Sequence, residues 1–458
     1  MMDLFPFDLI ERGSTILLYG LGKCGRTYIE QNGQLKWCEI KYVSDKAEPV
    51  NEFRHLYIKP EDISKVIEKV DKIVIAISNP KIVEQVQEWL TKRGIDAGKI
   101  IGPSLSKESI PVGFRSRDLK QREKIRILLV MIGGLGDYIV YLSFYQRLLE
   151  YMPDAEIVIQ GETVLLDAIY GQKENAVITS SDLKIETLNE FDCILELGHF
   201  IKVVWHEPTS LPEEFTRKLT VYEAEYERRY SIQDMRDALF IQRMMIARRN
   251  RYDALGGGPI FKLGRVKLRI EFSEQAKHIY AGYNFKQYVT FNYGSAKIRE
   301  ATEEQMKVWP KEYYKEWICR FKKKYPNLEV IQIGVKDAVK IEGADRYILG
   351  GSLEVVKYIL KNALFHLDCE GGLVHLATAV DTKCIVLFGP TPLEYYAYPQ
   401  NVNLYTGVCR GCIDLSYNWY YECHNRHKQC CMYSITPKMV MEKIEDMNII
   451  SGMKQCHE

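Results

Sequence analysis

An α/β chain of buried strands alternating with helices is what this sequence predicts, because apolar runs repeatedly end in a glycine turn that opens a helix. Residues 125–137 read Ile-Arg-Ile-Leu-Leu-Val-Met-Ile-Gly-Gly-Leu-Gly-Asp, a run apolar enough for a strand covered on both faces, as in parallel sheets. Cys369 to Ala377 (Cys-Glu-Gly-Gly-Leu-Val-His-Leu-Ala) repeats the device, and a second apolar run, Cys384 to Phe388, stops at Gly389-Pro390-Thr391. A third instance, Gly20-Leu21-Gly22-Lys23-Cys24-Gly25, spells G-x-G-x-x-G near the N-terminus.

In chain order, residues 1–102 form a small Rossmann-like unit. Thr15 to Tyr19 is its first strand, the glycine fingerprint opens a helix, and Ile40 to Val43 ends at Ser44-Asp45, where a dinucleotide fold places its ribose-binding acid. Gly20, Gly22, Gly25 and Asp45 are therefore candidates for NAD or another nucleotide, against a scaffolding or docking role for the unit. Lys72 to Ser78 is a further strand, Lys81 to Arg93 a helix, and Lys99 to Ile101 the last strand. Residues 103–124, charged and punctuated by Pro103, Pro111 and Gly113, read as a linker.

A lobe spanning 125–269 follows. Its first helix runs from Tyr138 to Tyr151, its next strand from Ala155 to Ile159, and Asp192 to Leu197 is a strand ending in Gly198-His199. Ser231 to Asn250 is expected as one long basic helix stopped by Gly256-Gly257-Gly258-Pro259. Its arginines suit a solvated face or, alternatively, an anionic acceptor or membrane surface. The second lobe, 270–458, has strands at Tyr288 to Asn292 and Glu329 to Ile333, and helices at Tyr313 to Lys324 and Leu353 to Asn362. Such alternation in both halves places two Rossmann-like lobes across a cleft.

Ligands in parallel sheets bind beyond the carboxyl ends of strands. Asp137 sits at such an end, either as a base or as a cap for the helix after it. The Gly371-Gly372 turn directs amides outward at the positive end of a helix, which suits a phosphate. Glu370 suits sugar or ribose hydroxyls, or simple capping, and His375 is either a ligand contact or a satisfied helix histidine.

With 458 residues, 46% hydrophobic and 27% charged, the chain has material for two or three domains. Its formal charge of +1 argues against nucleic acid as a partner. The N-terminus lacks the basic, apolar order of a signal peptide, and no apolar run reaches membrane-spanning length, so a cytoplasmic location is expected. Twelve cysteines in a reducing compartment point to thiols or metal ligands before disulfides. Cys409, Cys412, Cys423 and Cys430, with Cys431, His424 and His427 nearby in segment 409–431, offer soft ligands for one structural metal, or are plain thiols.

Four motifs in order, Gly133-Gly134-Leu135-Gly136-Asp137, Lys307-Val308-Trp309-Pro310, Gly371 to Ala377 and Phe388-Gly389-Pro390-Thr391, resemble the heptosyltransferases of glycosyltransferase family nine over roughly 125–440. The resemblance implies a GT-B fold, with an acceptor lobe at 125–269 and a donor lobe at 270–458. It implies inverting transfer of a heptose or related sugar from a nucleotide-sugar donor, ADP-heptose first, to a glycan, lipopolysaccharide or protein, without a catalytic metal. Asp137 would be the catalytic base. Lys307, Glu370, Gly371, Gly372, His375 and Thr391 would bind the donor. Glu370-Gly371 departs from the family's more usual aspartate and small hydroxyl residue. The autotransporter branch implies iron at the cysteines, where chemistry alone defaults to zinc. Alternatives are a nucleotide-sugar-binding assembly protein without turnover, and an NAD-dependent sugar-modifying unit at the N-terminus. A homo-oligomer and a peripheral membrane contact stay open as partners.

Overall fold

The structure is a computed structural model. It describes residues 5–102 apart from 7–8, 36, 48, 50–51 and 78; residues 124–264 apart from 171–175, 180–189, 207–209, 231 and 233–238; and residues 273–447 apart from 295–304, 408, 414, 416–418, 422 and 424–429. Most of the expected linker, and His424 and His427, lie outside the described residues.

Three sheets carry the described residues. The N-terminal unit has β1 (Thr15–Tyr19), β2 (Glu39–Ser44), β3 (Lys72–Ile75) and β4 (Ile100–Ile101), in the order β2-β1-β3-β4, all parallel. Its fingerprint glycines do what the motif requires. Gly20 adopts φ 108°, and a Cβ on Gly25 would stand 1.9 Å from the Gly20 carbonyl oxygen, so the helix Lys23–Leu35 packs tightly under the loop.

The middle lobe contains β5 (Arg126–Met131), β6 (Glu156–Gln160), β7 (Ala176–Thr179), β8 (Cys193–Leu197) and β9 (Ile201–His206), ordered β7-β6-β5-β8-β9. β9 is a departure from the expected strand–helix alternation: it returns antiparallel to β8 across the Gly198-His199-Phe200 corner. The C-terminal lobe is fully parallel. It holds β10 (Tyr288–Asn292), β11 (Glu329–Gly334), β12 (Arg346–Leu349), β13 (His366–Cys369), β14 (Cys384–Leu387) and β15 (Val402–Leu404), ordered β12-β11-β10-β13-β14-β15.

Strand order reverses at β5/β8 in one lobe and at β10/β13 in the other. Crevices form at such points, outside the carboxyl ends of the strands. Gly133–Asp137 follows β5, His199 follows β8, and Glu370–Gly372 follows β13.

The two lobes are joined. Val355, Leu376 and Ala377 share one apolar cluster with Tyr141, Leu142 and Phe144, and the buried Lys357 donates from Nζ to the Ala168 carbonyl across the boundary at 2.7 Å.

One expectation needs correction. The helix forecast over Ser231 to Asn250 is broken in its described part. Phe240–Ile246 is helical, Arg248 turns left-handed at φ 56°, and Asn250 caps a new helix, Arg251–Gly256. The Asn250 side chain accepts from the Tyr252 and Asp253 amides, a local alternative to continuing the helix. The N-terminal unit, which has a core of its own around Leu17, Ile73 and Leu90, also packs on the middle lobe. Leu128, Val130, Val158, Ile194 and Val204, alternate residues on one face of the middle sheet, share a hydrophobic cluster with Phe5, Ile10, Cys24 and Tyr28. The unit thus covers a sheet face that a doubly wound lobe would cover with its own helices.

Candidate functional site

The helix Leu135–Tyr151 starts at the Gly133-Gly134 turn, where Gly133 adopts φ 128°. Asp137 lies in its first turn, and its Oδ2 accepts from the Gly134 amide at 3.0 Å. That reciprocal bond is half of a capping box, so the capping role weighed for Asp137 is real. It is not the whole role. Asp137 Oδ1 receives Arg251 Nη2 at 3.0 Å, and the carboxylate side chain remains 33% exposed while Arg251 is 3% exposed. The same guanidinium donates to the carbonyls of Gly198 at 2.8 Å and His199 at 3.1 Å. Burial pushes the Asp137 carboxyl up, but the Arg251 charge, His199 and the Gly134 amide outweigh it and hold the group below its ordinary range. Burial and the Arg251 charge push His199 down to about 4, and its ring stacks on Phe240 at 5.5 Å.

Opposite lies the turn that follows β13. The helix Gly372–Ala379 has no side-chain cap at its N-terminus. Glu370, 6% exposed at its side chain, pairs through Oε2 with Lys307 Nζ at 2.8 Å, and His375 Nε2 stands 3.5 Å from Oε1. Burial raises the Glu370 carboxyl, yet Lys307 and His375 prevail and bring it to about 2. Burial opposes charge on Lys307, but Glu370 keeps its ammonium raised above the ordinary value. Lys307 is aimed by its own motif: the Trp309 amide meets Cys369 Sγ at 3.3 Å, and its indole N–H donates to the Ile435 carbonyl at 2.7 Å. Thr391 is 1% exposed, and its hydroxyl has no hydrogen-bond partner among the described residues.

The two turns touch. A Cβ on Gly136 would stand 2.5 Å from His375 Cδ2, and one on Gly372 would stand 3.0 Å from Leu135 Cβ. Only glycines permit this approach, which brings two helix N-termini together with Asp137 on one rim and Glu370 and His375 on the other. Two tyrosines complete the contact: Tyr398 OH bonds His375 Nδ1 at 2.6 Å and Tyr252 OH at 3.1 Å. Tyr396 is half-buried, and burial, Tyr395, Glu370 and Asp137 together raise its hydroxyl well above the ordinary value.

The sequence-chosen residues Asp137, Lys307, Glu370, Gly371, Gly372 and His375 therefore converge. Arg251, His199, Tyr252 and Tyr398 were not anticipated. Gly198-His199 at a strand end was a usable signal for one of them; Arg251 was hidden inside a basic run.

Elsewhere the outcome is different. Asp45 accepts from the Leu21 amide at 2.6 Å and from the Lys46 amide at 2.6 Å, so it braces its own glycine loop. The cysteine segment docks against Gly389-Pro390, with the Gly411 amide on the Gly389 carbonyl at 3.0 Å and the Ile413 amide on the Pro390 carbonyl at 2.9 Å. Gln242 of the other lobe donates to the Gly411 and Ile413 carbonyls at 3.2 and 2.8 Å. Burial, then the charges of Cys409, Cys423 and Cys430, push the Cys412 thiol to about 11, so these sulfurs lie within electrostatic reach of each other. Among the described residues, no group of three or more His, Cys, Asp or Glu side chains stands arranged as a metal site. No helix among the described residues is long and apolar enough to cross a membrane.

Residues 266–413 match the family model for glycosyltransferase family 9 (heptosyltransferase). No curated protein matches the chain. Among solved structures, the chain is similar to the iron-containing dodecameric glycosyltransferase TibC of enterotoxigenic E. coli, with a TM-score of 0.49 and 14% identity over 71% of this chain and 80% of that one. A family 9 glycosyl transferase from Veillonella parvula gives 0.48 and 14%, over 71% and 98%. The ADP-heptose lps heptosyltransferase II of E. coli gives 0.42 and 14%, over 72% and 100%.

Proposed function

We propose that this chain, whose residues 266–413 match the family model for glycosyltransferase family 9 (heptosyltransferase), moves a heptose or related sugar from a nucleotide-sugar donor to a hydroxyl of a glycan, lipopolysaccharide or protein. ADP-heptose is the first donor to test. The observation that carries this reading is the abutment of the two turns, which puts the carboxylate of Asp137 across from Glu370, His375 and the uncapped helix N-terminus at Gly372.

The acceptor oxygen would attack the anomeric carbon while its proton passes to Asp137. The bond from that carbon to the diphosphate breaks, and the pair leaves with the nucleoside diphosphate, inverting the centre. Lys307, the Gly371-Gly372 turn and the Thr391 hydroxyl would meet the diphosphate charge, and Glu370 would hold sugar or ribose hydroxyls. Two ion pairs already balance each other here, Asp137 with Arg251 and Glu370 with Lys307. Because Lys307 is already paired, the helix N-termini and His375 would share the added negative charge of the donor with it.

The thiols of Cys409, Cys412, Cys423 and Cys430 supply a donor set suited to zinc or iron, and bound metal there would order the segment that clasps Gly389-Pro390. A panel of nucleotide sugars in thermal unfolding, followed by transfer assays with the ligand that stabilises, tests the reading. If no nucleotide sugar raises the melting temperature, the donor lobe has been misread.

A further inference from the structure

Between the donor turn and the base lies a hydrogen-bonded chain in which Tyr398 is the middle link. Its hydroxyl bonds His375 Nδ1 at 2.6 Å on its own lobe and Tyr252 OH at 3.1 Å on the other, and Tyr398 itself is 5% exposed. Tyr252 is the residue after Arg251, on the short helix whose N-cap is Asn250. The chain therefore runs from Lys307 through Glu370, His375, Tyr398 and Tyr252 to the backbone that holds the partner of Asp137.

We propose that Tyr398 is a positioning residue: it holds the ring of His375 in place and ties the donor turn to the helix carrying Arg251. The direction of its hydrogen bonds follows from charge. His375 Nε2 faces a carboxylate oxygen of Glu370 at 3.5 Å, so a neutral ring must place its proton on Nε2. Nδ1 is then an acceptor, Tyr398 donates to it, and the oxygen of Tyr398 accepts from Tyr252.

This deepens the glycosyl-transfer reading and rests on it for kinetics, but its structural core can be tested without turnover. In protein labelled with 15N at histidine, His375 should show the Nε2–H tautomer, and Tyr398→Phe should shift its Nδ1 resonance as the donated proton is lost. The phenylalanine keeps the edge-on contacts to His375 at 5.3 Å and Tyr252 at 6.3 Å, so the fold should be retained. In transfer assays Tyr398→Phe should lower kcat about five- to tenfold, the worth of one lost neutral hydrogen bond. Tyr252→Phe should do the same, and the double variant should be no worse than either alone. An unshifted His375 spectrum, or losses that multiply in the double variant, overturns the proposal. If the spectrum shifts as expected but the wild-type protein transfers no sugar, the positioning role stands and the catalytic reading fails.

Discussion

Arg251→Met removes the one buried cation that holds Asp137 in place. The guanidinium, 3% exposed, bonds Asp137 Oδ1, the Gly198 carbonyl and the His199 carbonyl. Breaking a buried pair by deleting one partner costs about 3–5 kcal/mol. Asp137 is 33% exposed, so water can reclaim its oxygen and the cost should sit near the lower end, about 3 kcal/mol in denaturant unfolding. The pH dependence carries more information. The Asp137 carboxyl is held low in the folded protein, so its contribution to stability is present above the ordinary carboxylate range and disappears as pH falls through the lowered value. Burial pushes the other way, so without Arg251 the carboxyl should rise. The acid limb of kcat/KM should then move to higher pH in Arg251→Met, as the loss of acid stability moves with it. Rates measured from pH 4 to 9 beside urea melts at both ends test this. An acid limb that stays where it is in the wild type would refute the clamp, whatever happens to stability.

Asp137→Asn should preserve donor binding and lower turnover by roughly two to four orders of magnitude, the range for a lost general base; calorimetry with the donor beside initial rates checks both halves. Lys307→Ala should weaken donor affinity and slow transfer together, and should cost about 3–5 kcal/mol of stability because Glu370 is left buried and unpaired. Adding Glu370→Gln to that variant should recover part of the stability but none of the rate. Replacing Cys412 by Ser should release zinc or iron found by elemental analysis and make the 409–431 segment sensitive to protease, with Asp137 chemistry slowed only indirectly. Less than about a tenth of an equivalent of metal in untreated protein would make these plain thiols.

What was readable in advance follows from the range of the forces involved. The apolar runs of β5, β10 and β13 and the glycines after them are local, and they located Asp137 and the Glu370–His375 turn. Alternation read forward from such runs could not show that β9 folds back on β8, because Ile201–His206 is as apolar as a parallel strand would be. The basic stretch before Asn250 misled for a similar reason. Residue type alone puts Arg248 and Arg249 on one solvated helix face, whereas Asn250 captures two amides and swings Arg251, just beyond that stretch, into the interior. Tyr252 and Tyr398 are 146 positions apart, and no spacing rule relates them. The Asp45 position was correctly anticipated at the end of β2, but its carboxylate is turned onto the amides of Leu21 and Lys46.

The N-terminal unit sets what counts as the smallest viable piece of this enzyme. Leu128, Val130, Val158, Ile194 and Val204 face Phe5, Ile10, Cys24 and Tyr28 rather than helices of their own lobe. A chain begun at Ile125 would present five apolar side chains of a sheet to water, a surface that invites self-association. Gain or loss of the N-terminal unit is therefore not a neutral shuffle of modules. Any descendant that discards it must first make that sheet face polar, or evolve another cover, before it can remain in solution long enough to be selected for catalysis.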